Sequence, residues 1–168
     1  MEMIIARSGL STGAVYGYFK GKGEIINAVV AEGTAAMGRH LSPVMRDPEP
    51  PPLPKFLGEL LRAATEFGLD APDHIDRLLI ALHGWSHAQS DRRLKATTRS
   101  AYRRQRELLA EAVRRLQASG VVAPGADAAA IAQLLQSILL GFVAQRALAG
   151  DASVEAHVAA VDALTRPA

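Results

Sequence analysis

Apolar residues in this chain recur at intervals of three and four, and no stretch alternates with period two, so helices are predicted throughout. Ile25, Ile26, Val29, Val30, Met37, Leu41 and Val44 form one apolar face of a long helix over Gly23–Met45. Pro54 suits a first helical position. Phe56, Leu57, Leu60, Leu61, Ala64 and Phe67 carry that helix on to Gly68. Asp70-Ala71-Pro72 opens another, with Ile75, Leu78, Leu79, Leu82 and Trp85, which fades near Gln89. Asp91 is placed to cap a helix over Arg92–Ser119, closed by Gly120. Asp127 caps the next, which runs to Ala149 and stops at Gly150. Asp151 or Ser153 begins a short last helix with Val154, Val158, Val161 and Leu164 on one face. Between Met45 and Pro54 the prolines at 48, 50, 51 and 52 are too dense for a helix and predict a stiff, extended connector.

The front of the chain is different in kind. Gly9-Leu10-Ser11-Thr12-Gly13-Ala14-Val15-Tyr16-Gly17-Tyr18-Phe19-Lys20-Gly21-Lys22 reads as the turn and second helix of a helix-turn-helix. Gly9 can end a helix in the left-handed conformation. Leu10 plugs the space between the two helices, and Ser11 caps a helix of about two turns. Ala14, Val15 and Phe19 can turn inward. Thr12, Gly13, Tyr16, Gly17 and Tyr18 are left facing outward. Small residues at the helix start let it approach a DNA groove closely. Lys20 and Lys22 flank Gly21 at the start of the next helix and suit a phosphate anchor.

The pattern G-L-S-x-G-x-x-Y-x-Y-F-x-x-K resembles the TetR family of bacterial transcriptional repressors, closely so over Ile4–Val30. The resemblance implies that Ser11–Tyr18 is a recognition helix, that Thr12, Gly13, Ala14, Tyr16, Gly17 and Tyr18 face DNA, and that Lys22 lies at a phosphate; Ser11 and Lys20 are expected to join them at the DNA. The family carries a full helix and most of a second before this turn. Here Met1–Ser8 precede Gly9, and the chain is expected to begin inside the positioning helix.

Hydrophobic residues make up 49% of the 168 positions and charged residues 21%, a balance able to bury a sizeable core. Net charge is +2, so contact with nucleic acid has to rest on a local site. Cysteine is absent, which excludes disulfides and thiolate chemistry and fits a reducing cytoplasm. No secretion signal or membrane span is expected.

Two regions of the body attract functional readings. Between Ala128 and Ala149 only Arg146 is charged, and apolar side chains occur on nearly all sides of the helix. A helix apolar all round is buried all round. One flank is expected to meet its own core and the other a second subunit. The resemblance agrees, since the last two long helices of the family usually form a four-helix dimer interface. Leu135, Ile138, Leu139, Phe142, Val154, Val158 and Val161 are the expected contacts. A pocket among the body helices is expected to be lined by Phe56, Phe67, His83, Trp85, His87, Tyr102, Gln105 and Gln136, and to take an apolar or aromatic small-molecule effector.

Other chemistry is set aside. His83, His87 and Asp91 have a spacing that can clamp a metal, but the glutamate of a zinc-hydrolase helix is missing. No phosphate loop, nucleophile elbow or cysteine nucleophile occurs. No enzyme activity, metal or cofactor is expected. The arginines between Arg92 and Arg115 are read as a solvated helix face, with a second nucleic-acid surface as the alternative.

The expected protein is all-α: a truncated helix-turn-helix head with its connecting helix over residues 1–46, a proline-rich linker over 47–54, and an effector-binding and dimerisation body over 55–168. Its expected function is that of a ligand-responsive repressor binding double-stranded, pseudo-palindromic operator DNA as a cytoplasmic homodimer. The alternative is a dimeric ligand-binding or interaction module that lost DNA binding with its first helix.

Overall fold

The computed structural model describes residues 11–68 and 77–165, and among them every regular element is a helix. In chain order these are α1 (Thr12–Tyr18), α2 (Lys22–Arg46), α3 (Leu53–Gly68), α4 (Arg77–Ala88), α5 (Arg92–Ala118), α6 (Ala128–Leu148) and α7 (Val154–Thr165). The Gly9 turn with its Leu10 plug, and the opening of a helix at Asp70-Ala71-Pro72, lie outside the described residues.

The caps follow the sequence. The Ser11 hydroxyl accepts from the Ala14 amide at 3.1 Å, and the Asp91 carboxylate accepts from the Leu94 amide at 2.8 Å. Asp127 takes the amides of Ala129 and Ala130 at 2.8 and 3.2 Å. These bonds satisfy amides that a helix start leaves without intrahelical partners. Gly120 and Gly150 both adopt φ of 77°, the left-handed turn that ends α5 and α6. Helix α3 starts at Leu53 rather than Pro54, and the missing N–H of Pro54 costs nothing in that first turn. Pro43 sits inside α2, where it has no N–H to offer the carbonyl of Arg39.

The core lies where α3, α5 and α6 meet. Phe56, Leu57, Leu60 and Leu61 from α3 are fully buried with Leu109, Ala112 and Val113 from α5 and Phe142 from α6. Leu41 and Met45 of α2 and Leu78 of α4 close its sides. Burying each large aliphatic or aromatic side chain contributes about 1.5–3 kcal/mol. Helix α7 packs across α3, where Gly58 leaves room for it: a Cβ there would stand 2.9 Å from the Cγ2 of Val158.

Helices α2 and α5 run side by side in the same direction. Asn27 donates to the Asp91 carboxylate at 2.8 Å at one end, and Arg115 donates to the Met45 carbonyl at 2.6 Å at the other. A smaller apolar cluster of Val30, Ala88 and Leu94, with Ile26 beside it, joins α2 to the end of α4 and the start of α5. Helix α2 thus follows directly on α1 and packs against α3, α4 and α5.

Candidate nucleic-acid interface and ligand cavity

The head helix presents the predicted face. Thr12, Gly13, Tyr16, Gly17 and Tyr18 are exposed, and Val15 alone on α1 is buried. Tyr16 is 49% and Tyr18 84% exposed, so neither ring is packed into a core. Ala14 and Phe19 are half-buried. A Cβ at Gly13 or Gly17 would meet nothing within 4 Å, so one smooth strip runs along the outward side of the helix. Ser11 is exposed too, but its oxygen already serves the cap, leaving only its O–H to donate elsewhere.

Lys20 and Lys22 are both exposed. Lys22 is the first residue of α2, not a residue ahead of it. Gly21 precedes it in extended backbone rather than in a left-handed turn. Glu24 in the first turn accepts from the Lys20 amide at 2.8 Å, tying the α1–α2 connection to the helix that follows.

The body holds a cavity of about 1290 Å³ bounded by α2, Phe67 of α3, α4, α5 and α6. Its walls are mostly apolar. On the α2 side they are thin, because Gly33, Ala35, Ala36 and Gly38 put little side chain into the space. Trp85 and Tyr102 face it from α4 and α5, and the Trp85 indole N–H donates to the Tyr102 hydroxyl. Burial pushes the Tyr102 phenol up to about 12, against the opposing pull of the Trp85 donor.

Of the eight expected lining residues, Phe67, Trp85, Tyr102 and Gln105 line this cavity. The other four do not. Phe56 is fully buried in the core, three turns of α3 before Phe67, and does not reach the space. His83 is exposed on the outer face of α4. His87 is half-buried near Asp91, with its Nε2 buried and unbonded. Gln136 is buried behind the wall: its amide donates to Gln105 and to the Tyr102 carbonyl, each at 2.9 Å, and its oxygen accepts from Arg106 at 2.9 Å. Gln136 therefore orients Gln105 without touching the space. Periodicity missed the whole α2 wall, whose signal was the run of small residues from Gly33 to Gly38.

His83, His87 and Asp91 do not converge. His83 faces solvent, while the Asp91 carboxyl is held below the usual carboxylate range by the Asn27 amide and the Leu94 backbone N–H. Among the described residues no group of His, Asp and Glu is gathered for a metal ion. The basic stretch of α5 is largely solvated, although Arg115 donates to the Met45 carbonyl and the exposed Arg106 donates its Nε–H to Gln136.

The expected dimer residues turn inward. Leu135, Leu139, Phe142 and Val154 are buried in the chain's own core, and Ile138, Val158 and Val161 pack against it. Val158 meets Gly58, and the Phe142 ring meets His157 edge-on at 5.4 Å. Of the expected residues, Ile138, Val158 and Val161 are half-buried and keep part of their surface outside the core. The large apolar side chains that α6 and α7 leave exposed are Leu134, 59% exposed, and Leu148, 75% exposed, on α6, and Leu164, 85% exposed, on α7. Helix α6 is long and apolar enough to cross a membrane by length and composition. Its inward face fills the core of the bundle, as a core helix of this composition does.

Residues 57–166 match the family model described as BetI-type transcriptional repressor, C-terminal, which covers most of the body and well over half of the chain. No curated protein matches the chain.

Proposed function

The chain belongs to the TetR family of transcriptional regulators, and from that premise we propose that it is a ligand-responsive repressor that binds a pseudo-palindromic operator as a homodimer. In this reading α1 enters the major groove, with Thr12, Tyr16 and Tyr18 at base edges and Lys20 and Lys22 at phosphates. The body cavity takes a largely apolar or aromatic effector. The dimer forms through the outward side of α6 and α7, around Leu134, Leu148 and Leu164. The protein works in the cytoplasm, where operator DNA is.

The observation that carries the reading is the double position of α2. It follows directly on the reading helix, and its residues from Ala28 to Arg46 form one wall of the cavity. An occupant that displaces this wall also moves the head. Two heads spaced for successive grooves lose a half-site when either swings, so a small displacement releases the operator.

The test is selection of duplexes from a random pool by the purified protein, followed by gel-shift titration of the enriched sequence. The expected result is a two-fold symmetric site whose affinity falls when a compound that shifts Trp85 fluorescence is added. Enrichment of no sequence, at any salt concentration, overturns the proposal.

A further inference from the structure

The cavity has a charge character that the apolar-effector reading does not explain. Among the described residues lining it are Arg39, Arg46, Arg77 and Arg104, against one carboxylate, Glu32. The chain as a whole is nearly balanced, with 19 basic and 17 acidic residues. The bias therefore belongs to this space.

The arginines stand at its mouth. Arg39, Arg46 and Arg104 are exposed, whereas the interior is walled by side chains such as Ala36, Met37, Trp85, Leu108, Leu139 and Val143. Helices α2 and α5 run in the same direction, and Asn27, in the second turn of α2, stands beside Asp91 at the start of α5. At 1.5 Å of rise per residue, Arg39 lies about 18 Å beyond Asn27 and Arg104 about 20 Å beyond Asp91, so both stand in the same stretch of the cavity on facing walls. Arg39 is held at 2.7 Å by Glu32, and Arg46 uses its Nε on Ser42 at 3.0 Å, leaving its terminal nitrogens to act. Arg77 lies over the Phe67 ring, 5.0 Å from its centre.

We propose, building on the effector-sensor reading, that the cavity takes an anionic amphiphile: an apolar tail or ring system inside, and a carboxylate or phosphate head at the mouth between Arg104 and the α2 arginines. An ionised head is costly to bury, so it stays where guanidinium groups and water both reach it. Guanidinium binds either oxyanion through paired N–H donors and stays charged at every physiological pH. A cationic ligand of the same shape meets repulsion from the same groups.

Direct binding by the intact protein tests this. Trp85 fluorescence is followed with decanoate, decyl phosphate, decanol and decyltrimethylammonium, each below its micelle concentration, and neutral Nile red serves as a probe of the cavity itself. Decanoate or decyl phosphate should bind about tenfold more tightly than decanol, and the ammonium compound most weakly. Which anion binds better distinguishes the two heads. Arg104→Gln and Arg46→Gln, both at exposed positions, should each weaken the anion about fivefold and leave Nile red unchanged. Nile red binding with no preference for the anions, or anion affinity untouched by both variants, overturns the proposal and leaves the sensor reading standing. If Nile red and all four decyl compounds fail to bind, both readings fall together.

Discussion

Gly84 on α4 lies so close to Val30 on α2 that a Cβ on the glycine would stand 2.6 Å from one valine methyl and 3.0 Å from the other. Turning the valine side chain gives no relief, because both methyls and its Cβ crowd the same point. The neighbouring Trp85 faces the cavity. The contact joins the helix that carries Trp85 to the helix that follows directly on α1.

Gly84→Ala should therefore force α4 and α2 apart. Better helix propensity offsets part of the strain, and a net loss of about 1 kcal/mol, or roughly 2–4 °C in Tm, is expected. Val30→Ala should relieve the strain that Gly84→Ala introduces, so thermal melts of the two single variants and the double variant should be non-additive. Strict additivity would mean that the two helices do not bear on each other there.

Leu134 and Leu135 are neighbours on α6 with opposite fates. Leu135→Arg puts an unpaired charge in the core and should cost about 3–5 kcal/mol, enough to give unfolded or insoluble protein. Leu134→Arg should leave the circular dichroism spectrum and the melt of the protomer nearly unchanged, and convert dimer to monomer. Light scattering at micromolar concentration reads the difference. A Leu134→Arg protein that is still dimeric places the interface elsewhere.

On the head, Lys22→Ala should weaken binding to all DNA sequences alike and reduce the slope of log affinity against log salt by about 0.9. Thr12→Ala should instead relax base preference, because a base contact specifies where a phosphate contact only positions. Tyr16→Ala should weaken operator binding without disturbing the dimer. Gel-shift titrations at three salt concentrations separate these behaviours, and equal salt slopes for Lys22→Ala and the parent protein would remove Lys22 from the interface.

Tyr102 makes the alkaline limb of stability steeper. Its phenol is pushed up to about 12 in the folded protein by burial, while in the unfolded chain it ionises near 10. Below pH 10 both states keep the proton and its contribution is complete. Between about pH 10 and 12 the unfolded chain releases it first, so stability falls as pH rises, and the effect is spent above the folded value. Urea melts from pH 9 to 11.5 should show a steeper loss for the parent than for Tyr102→Phe, which itself loses about 1 kcal/mol near neutrality with the Trp85 hydrogen bond. Parallel pH profiles would mean that Tyr102 is solvated.

Local signals were legible before any fold was known. Helix identity follows from spacing, and the caps at Ser11, Asp91 and Asp127 and the stops at Gly120 and Gly150 each depend on atoms within a few residues. The outward face of α1 was legible for the same reason, since a two-turn helix with one apolar anchor has little choice. Which side of a wholly apolar helix faces its own core is another matter. Helix α6 carries Leu134 and Leu135 in succession, and nothing local distinguishes them. Packing against α3 and α5 does, because a close-packed interior accepts one face of the helix and leaves the other outside. The cavity likewise belongs to no single segment. Four helices and Phe67 bound it, and its thinnest wall is a run of small residues that looked like plain helix. Sequence determined the elements, their ends and the outward face of α1. Tertiary packing decided which leucines are core and which residues of α2 and α5 line one cavity, because both depend on contacts between residues far apart in the chain.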